Sequence, residues 1–295
     1  MTYEILQCVA VQAASRLNLI LGRDNDWRGR CPCCGYGKPT LTLTVRKQGI
    51  SISCAACGEV AGIAAIAGIP TDLLVTPEPT ASKVARALKL WAKGASAAGT
   101  PVESYLRGRS ITVDLPATIR YLPRQCNWND GRDYAAMLAL VERLPEDGEG
   151  PDGILIPSGV HVTFLERSAG ATGFQKAATE SSKLSLGQLR HGGVWLTPIE
   201  QICGDLAVAE GIETALSVMQ ITGLPTVATL SAAGMHTFLW PPPIRRLWIA
   251  ADNDEAGMKA AKALLARALC AGIQADIKIP RGGHNDFNEL IMGNN

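Results

Sequence analysis

The amino-acid sequence predicts an α/β protein with a β-rich N-terminal module, an α+β middle region and a C-terminal parallel sheet. The clearest sign is at the C-terminal end, where apolar strands alternate with amphipathic helices from about residue 205 onward. This alternation is typical of a parallel sheet with helices on both faces. Near the N-terminus, two Cys-x2-Cys pairs flank a run that alternates like a β-hairpin. Between these regions, short β-like runs are interrupted by glycine and proline.

The bulk composition limits the possible classes of protein only weakly. At 295 residues and a net charge of +1, the chain has room for two or three domains and shows no overall polyelectrolyte character. No apolar window reaches the length of a membrane span, and the N-terminus lacks the basic leader of a signal peptide. We therefore expect a cytoplasmic protein with no membrane partner. Its nine cysteines then indicate metal binding or packing before disulfides.

The cysteine pairs predict a four-thiolate zinc site. Cys31 and Cys34 form one pair, Cys54 and Cys57 form the other, and nineteen residues separate the two pairs. This is the spacing of a zinc ribbon, in which one structural Zn²⁺ supplies stability that so small a core cannot. Cys33 could also ligate, but the better match to the pattern Cys-Pro-x-Cys-Gly makes Cys34 the ligand and Cys33 a spectator.

The charge around the cysteine pairs favours contact with a nucleic acid. Between Leu21 and Gly58 there are six basic residues against two acidic ones, a local excess of four. Trp27 and Tyr36 lie among them, as in surfaces that stack the bases of a single strand. A purely structural ribbon is the alternative, and composition alone does not decide between the two.

The domain boundaries follow changes in composition. Residues 1–69 form the cysteine module, and residues 70–82, with three prolines and no clear period, form a linker. Helical spacing over 83–98 opens a basic α+β region that extends to residue 204. Residues 205–295 form the C-terminal domain.

Carboxylates follow the strands of the predicted parallel sheet. Glu210 follows one strand, Asp252 and Asp254 follow another, and Asp286 comes just after the last strand. Ligands of open α/β sheets bind beyond the carboxyl ends of the strands, so these side chains should converge. Carboxylate oxygens suit a hard divalent cation, Mg²⁺ or Mn²⁺, whose charge would offset their mutual repulsion. Alternatively, Asp254 or Glu255 could sit at the N-terminus of the following helix, where the dipole favours negative charge.

These motifs together resemble the Toprim domain of primases, topoisomerases and related nucleases. The resemblance is carried by "VAEGIETALSV", "IAADNDEAG" and "NDFNEL" and covers about residues 205–292. It implies that Glu210 acts as general acid/base or assists metal binding. It also implies that Asp252 and Asp254 hold Mg²⁺, with Asp286 as a further ligand.

The order of a zinc ribbon, a basic middle region and a Toprim domain resembles that of DNA primases. The closer resemblance is to the stand-alone type found on phages, plasmids and other mobile elements, and it is carried by "GTPVESYLRGRSI", "GVHVTFLE" and "KLSLGQLRHGGVWL". The resemblance implies Mg²⁺-dependent synthesis of short primers from nucleoside triphosphates on single-stranded DNA, with the ribbon helping to choose the start site. No G-x-x-x-x-G-K-[ST] loop is present, so a replicative helicase would be a separate protein.

Cationic side chains should face the triphosphate in such an enzyme. The candidates are Arg107, Arg109, Lys176 and Lys183. An ordinary solvated surface charge is the alternative for each of them.

Two other classes of protein remain open. RecR-type recombination mediators also join a four-cysteine zinc site to a Toprim domain, but they clamp DNA without catalysis. Toprim nucleases are the second alternative, although they usually pair the domain with an ATPase.

Overall fold

The computed structural model describes residues 3–22, 26–34, 39–46, 48–75, 80–146, 153–168 and 173–293. The chain divides into two compact units, Met1–Pro79 and Thr80–Asn295. Across the described part of the chain, every helix is too short or too polar to cross a bilayer.

The first unit packs two helices against an antiparallel sheet in the order β1-β2-β3-β4. Its elements are α1 (Tyr3–Arg16), β1 (Ile20–Leu21), β2 (Asp26–Gly29), β3 (Leu41–Arg46), β4 (Gly49–Cys54) and α2 (Ala61–Ala67). Trp27 pairs with Leu43 and is 8% exposed within the core of this unit. The expectation that Trp27 stacks nucleic-acid bases is therefore wrong, because its ring is used for packing; Tyr36 lies outside the described residues.

Much of the predicted 70–82 linker has regular structure. Thr71–Leu73 form a 3₁₀ turn, Leu73 is buried, and the Val75 amide donates to the Ile50 carbonyl oxygen at 3.0 Å. Helix α3 (Thr80–Trp91) begins before the predicted segment ends.

The second unit begins with an antiparallel sheet in the order β10-β8-β7-β6-β5, with β9 paired to β8. After α3, its elements are β5 (Ala95–Ser96), α4 (Pro101–Arg107), β6 (Ile119–Cys126), β7 (Asp133–Arg143), β8 (Ile156–Arg167), β9 (Phe174–Lys176) and β10 (Lys183–Gly187). Helix α4 begins at a threonine cap, where the Thr100 hydroxyl accepts from the Val102 amide and Pro101 occupies the first turn.

The C-terminal sheet has the order β11-β13-β12-β14-β15. Strand β12 runs parallel to β13 and to β14, and β14 runs parallel to β15, whereas β11 runs antiparallel to β13. The elements are β11 (Val194–Trp195), β12 (Gly204–Ala209), α5 (Ile212–Thr222), β13 (Thr226–Ala228), α6 (Ala232–Thr237), β14 (Ile244–Ala250), α7 (Glu255–Cys270), β15 (Gln274–Lys278) and α8 (Phe287–Met292).

Alternate side chains of the central strands enter two separate cores, as the pleat of a strand requires. On β12, Ala207 and Ala209 share a core with Leu216 of α5, whereas Val208 shares a core with Leu264 of α7. Helices therefore cover both faces of the parallel sheet. The predicted fold class is confirmed.

Candidate functional site

In the structure, the two strands that are followed by acidic residues lie side by side. Ala209 of β12 and Ala250 of β14 are register partners in the parallel ladder. Glu210 follows the first strand directly, and Asp252 follows the second after one residue. Both carboxylates therefore leave the sheet at its carboxyl edge, where open α/β sheets bind their ligands.

Backbone hydrogen bonds tie the loop that carries Asp286 to the same edge. The Ala251 amide donates to the Lys278 carbonyl oxygen at 2.9 Å, and the Asn253 amide donates to the Asn285 carbonyl oxygen at 2.7 Å. The first bond extends the pairing of β14 and β15 by one residue, and the second joins the loop after β14 to the loop that precedes α8. Asp286 is thereby held close to Asp252.

The neighbouring carboxylates together shift the pKa of Asp252. Burial and the negative charges of Glu210, Asp286 and Asp254 raise the pKa of Asp252 to about 7, although Lys183 opposes the shift. Its Oδ1 atom is buried and has no hydrogen-bond partner among the described residues. A buried carboxylate oxygen without a donor is costly unless a cation occupies the site.

Asp254 and Asp286 each cap the helix that follows. Asp254 Oδ1 accepts from the Gly257 amide at 2.6 Å, and Asp286 Oδ1 accepts from the Glu289 amide at 2.8 Å. The capping interpretation of Asp254 is therefore correct, and it uses one of the two carboxylate oxygens. The cap also requires a glycine, because a Cβ at residue 257 would lie 2.8 Å from the Asp252 carbonyl oxygen.

The donor set has the chemistry of a divalent-metal site, although among the described residues only the four cysteines form a group of three or more ligand atoms within 4.8 Å of one another. It consists of carboxylate oxygens, which suit Mg²⁺ and Mn²⁺, and it contains the orphaned Asp252 oxygen. Glu210, Asp252, Asp254 and Asp286 are the residues that would hold the ion.

Beside the carboxylates, two predicted lysines converge on a glutamate that the sequence analysis did not identify. Glu213 lies on α5 and is 4% exposed. Lys176 Nζ lies 2.9 Å from Glu213 Oε1, and Lys183 Nζ lies 3.3 Å from Oε2. The Tyr105 hydroxyl donates to Oε1 at 2.7 Å. Burial would raise the pKa of Glu213, but the Lys183 and Lys176 ammonium groups and Tyr105 hold it below its usual value.

A buried histidine lies against this cluster. His161 Nδ1 is 2.8 Å from Ser185 Oγ, and the ring is 6% exposed. Burial and the positive charges of Lys183 and Lys176 lower the pKa of His161 to about 4, although Glu213 opposes the shift. His161 is therefore neutral at pH 7.

Arg107 and Arg109, both predicted to bind the triphosphate, make contacts in different parts of the second unit. Arg109 Nε donates to Asn288 Oδ1 at 2.7 Å, and the fully buried Asn288 amide returns a bond to the Arg109 carbonyl oxygen at 3.0 Å. Asn288 is on α8, two residues after Asp286, so Arg109 is joined to the acidic edge. Arg107 instead pairs with Glu103 at 2.9 Å and lines a separate cavity of about 560 Å³. None of the four carboxylates lines that cavity.

Of the site residues that were not predicted, only Glu213 had a recognisable pattern in the sequence. Glu213 is a single carboxylate in the otherwise uncharged run "GIETALSV", and α5 is buried at every position from Ile212 to Val218. A charged residue on a fully buried helix needs a partner. Tyr105 and Asn288 carried no comparable signal, because each depends on a contact more than one hundred residues away.

In the first unit, the four cysteines assemble into a candidate metal centre. The Sγ atoms of Cys31, Cys34, Cys54 and Cys57 all lie within 4.8 Å of one another. Cys31 and Cys57 are 3.7 Å apart, and Cys34 and Cys54 are 3.8 Å apart. Disulfide sulfurs are bonded at about 2.05 Å, whereas tetrahedral Zn–S bonds of about 2.3 Å separate the sulfurs by about 3.8 Å. The geometry therefore fits zinc better than disulfides.

In the second cysteine knuckle, Cys54 is the thiol that ionises more readily, because burial and the neighbouring Cys54 and Cys31 raise the pKa of Cys57 to about 12. Burial opposes ionisation of Cys54, but hydrogen bonds from the Thr40 hydroxyl and nearby backbone amides lower its pKa to about 7. Gly58 adopts φ = 71°, and its amide donates to the Cys54 carbonyl oxygen at 2.9 Å. Glycine adopts this left-handed conformation without strain. Cys33 is exposed and lies outside the four-sulfur group.

Comparison with known families covers most of the second unit. Residues 205–294 match the family model described as the Toprim domain. Residues 81–196 match a model described as a domain of unknown function, DUF7146. No curated protein sequence matches the chain. The Toprim resemblance drawn from the sequence is thus confirmed.

Solved structures of primase domains are similar to this chain at low identity. The zinc-binding and RNA polymerase domains of the Aquifex aeolicus primase are 15% identical, with a TM-score of 0.46, covering 99% of this chain and 83% of that one. A DNA primase domain from Pseudomonas aeruginosa is 15% identical, with a TM-score of 0.42 and coverages of 73% and 75%. A DnaG primase catalytic domain bound to single-stranded DNA is 14% identical, with a TM-score of 0.45 and coverages of 72% and 78%.

Proposed function

We propose that this protein is a DNA primase that makes short primers on single-stranded DNA from nucleoside triphosphates. The observation that carries the proposal is that a group of negative charges and a group of positive charges lie next to each other. Glu210, Asp254 and Asp286 raise the pKa of Asp252, whose Oδ1 has no hydrogen-bond partner among the described residues, and Lys183 lowers the same pKa while it pairs with Glu213. A metal–triphosphate substrate needs both groups.

The acidic group would hold Mg²⁺ or Mn²⁺. When bound there, such an ion supplies charge neutralisation at the phosphate oxygens during nucleotidyl transfer. Asp252 offers the donor-free oxygen, whereas Asp254 and Asp286 are oriented by their helix caps. Glu210 completes the group, either as a ligand or as the base that accepts the proton of the attacking 3′-hydroxyl.

The cationic group would bind the triphosphate. The side chains of Lys176 and Lys183 are 29% and 37% exposed, so both lysines are partly accessible from solvent. Each ammonium has three N–H donors, of which a contact with Glu213 uses only one. Arg109 adds a third positive charge that is fixed by Asn288. Arg107 has less support as a substrate ligand, because it donates to the Ile111 and Val113 carbonyl oxygens beside Glu103.

The four-cysteine site would hold one structural Zn²⁺ and stabilise the first unit. The basic residues of that unit would contact the single-stranded template and help to choose the start site.

One assay separates this proposal from the other two classes of Toprim protein. Purified protein is mixed with a mixed-sequence single-stranded template, labelled nucleotides and Mg²⁺, and the products are resolved on a gel. Template-dependent primers support a primase. Shortening of the template with no new strand would indicate a nuclease, and template binding without either product would indicate a non-catalytic DNA-binding protein.

A further inference from the structure

Glu213 occupies an unusual position for a carboxylate. It lies on α5, one turn after Glu210, and its side chain is 5% exposed. Its carboxylate is surrounded by donors. Tyr105 and Lys176 contact Oε1, and Lys183 contacts Oε2. Metal binding would require these donors to leave, so Glu213 is not equipped to be a ligand.

The donors that meet at Glu213 come from separate elements. Tyr105 lies on α4, Lys176 ends β9, and Lys183 begins β10. One carboxylate on the helix of the parallel sheet therefore orients groups from the preceding antiparallel region. The buried Tyr105 bond directs Oε1, because the tyrosine is 2% exposed and has little freedom to move.

The local charge balance leaves this cluster cationic. Lys176, Lys183 and Arg109 contribute three positive charges against one negative charge from Glu213, a net charge of +2. The lysines repel each other and Arg109, since Lys183 and Arg109 both lower the pKa of Lys176. Without a fixed anion beneath them, the ammonium groups would separate toward solvent.

We infer that Glu213 is a positioning residue for triphosphate binding, which holds Lys176 and Lys183 in place and is itself oriented by Tyr105. This inference rests on the proposed function and assigns a role to a residue outside the expected metal and nucleotide ligands. Glu213 acts through the lysines and does not touch the substrate. A carboxylate that merely competed with phosphate for the lysines would have the opposite effect on affinity.

Glu213 also keeps Lys176 protonated. The groups that face Lys176 are Glu213 on α5, Lys183 on β10 and Arg109 after α4, with His161 of β8 close by. Burial lowers the pKa of Lys176, as do Lys183 and Arg109, and Glu213 alone among the causes opposes them. Loss of the Glu213 charge should therefore make Lys176 lose its proton at lower pH.

The test compares Mg²⁺–ATP binding by wild type, Glu213→Gln and the control Glu200→Gln, an exposed glutamate on another surface. Calorimetry across neutral to alkaline pH should show that Glu213→Gln weakens affinity about tenfold, with the loss growing as pH rises. The control should bind as wild type does. The double variant Glu213→Gln/Lys176→Arg should lose the extra pH dependence, because arginine stays protonated.

The outcomes separate this inference from the proposed function. Equal or tighter ATP binding by Glu213→Gln, with normal binding by wild type, overturns the positioning role and leaves the primase proposal intact. ATP binding with the expected Glu213 effect but no primer synthesis supports the positioning role and overturns the primase proposal. Absence of ATP binding by wild type overturns both.

Two further variants keep the test valid if Glu213→Gln does not fold. Glu213→Asp keeps the charge but withdraws it by about 1.5 Å, one carbon–carbon bond. Tyr105→Phe keeps Glu213 and removes one hydrogen bond to it. Both should weaken ATP affinity by smaller factors while melting as cooperatively as wild type. Unchanged affinity in both variants overturns the inference.

Discussion

The backbone amide of Asn253 donates a hydrogen bond to the carbonyl oxygen of Asn285 at 2.7 Å. Asn253 lies between the two aspartates that follow β14, and Asn285 directly precedes Asp286. This single bond therefore joins two acidic loops that the sequence separates by about thirty residues. It explains how the negative charge of Asp286 reaches Asp252 and raises its pKa.

The repulsion at Asp252 should be measurable as a stability effect. Its folded-state pKa is raised from 3.8 to about 7, so the carboxylate favours folding when protonated and opposes folding as pH rises through 7. In EDTA, Asp252→Asn should match wild type near pH 4 and be more stable above pH 7 by about 1 to 2 kcal/mol. Thermal melts across this range test it, with Asp276→Asn as the control. A constant difference between wild type and Asp252→Asn at all pH values would contradict the shared negative cluster.

Burial of neutral His161 should make the stability of the protein depend on pH in the opposite direction. Its folded-state pKa is lowered from 6.5 to about 4, so its stabilising effect is complete above pH 6.5 and is lost as pH falls through 4. The melting temperature of wild type should therefore fall more steeply between pH 6.5 and 4 than that of His161→Gln. Parallel melting curves for the two proteins over this range would show that His161 is not held neutral by burial.

The side chain of Asn288 should make a large contribution to the stability of the second unit. It is fully buried and bonds to the Arg109 side chain, the Arg109 carbonyl oxygen and Ser217 Oγ. Asn288→Ala leaves these buried groups without partners and should lower the free energy of unfolding by about 2 kcal/mol or more. Urea unfolding measures this directly. A loss below about 0.5 kcal/mol, the range of ordinary surface changes, would contradict the bridging role.

The cysteine site predicts one zinc ion per chain. Cys34→Ser should lose the metal and destabilise the first unit, because a three-thiolate site leaves one position open. Cys33→Ser should retain the metal, since Cys33 lies outside the four-sulfur group. Metal analysis of the purified variants decides this, and zinc loss from Cys33→Ser would show that the ligand set is wrong.

The parts of the site that follow from strand geometry could be predicted from sequence. Glu210 and Asp252 each follow an apolar strand, and parallel strands place their carboxyl ends at one edge. The cysteine cluster was equally accessible, because its spacing reflects the local geometry of two knuckles. These features depend on contacts within one element or between neighbouring strands.

The rest depends on tertiary contacts that leave no local pattern. Helical spacing over 83–98 predicted a longer helix, but α3 ends at Trp91 because Ala95 and Ser96 pair with β6 instead. Trp27 is a plausible stacking residue by composition, yet β2 turns it into the core. Glu213 was missed for the same reason, since its partners come from α4, β9 and β10.

The most direct test of the central claim is primer synthesis by Asp252→Asn, measured beside wild type and Asp276→Asn. Replacing Asp252 removes one charge from the acidic group with little change in shape, so synthesis should fall by about two orders of magnitude or more. Template binding should persist in the variant and weaken with salt as in wild type. Asp276→Asn, a change at a half-buried carboxylate that pairs with Arg246 away from the acidic group, should synthesise normally. Equal synthesis by wild type and Asp252→Asn would contradict the metal-dependent primase mechanism.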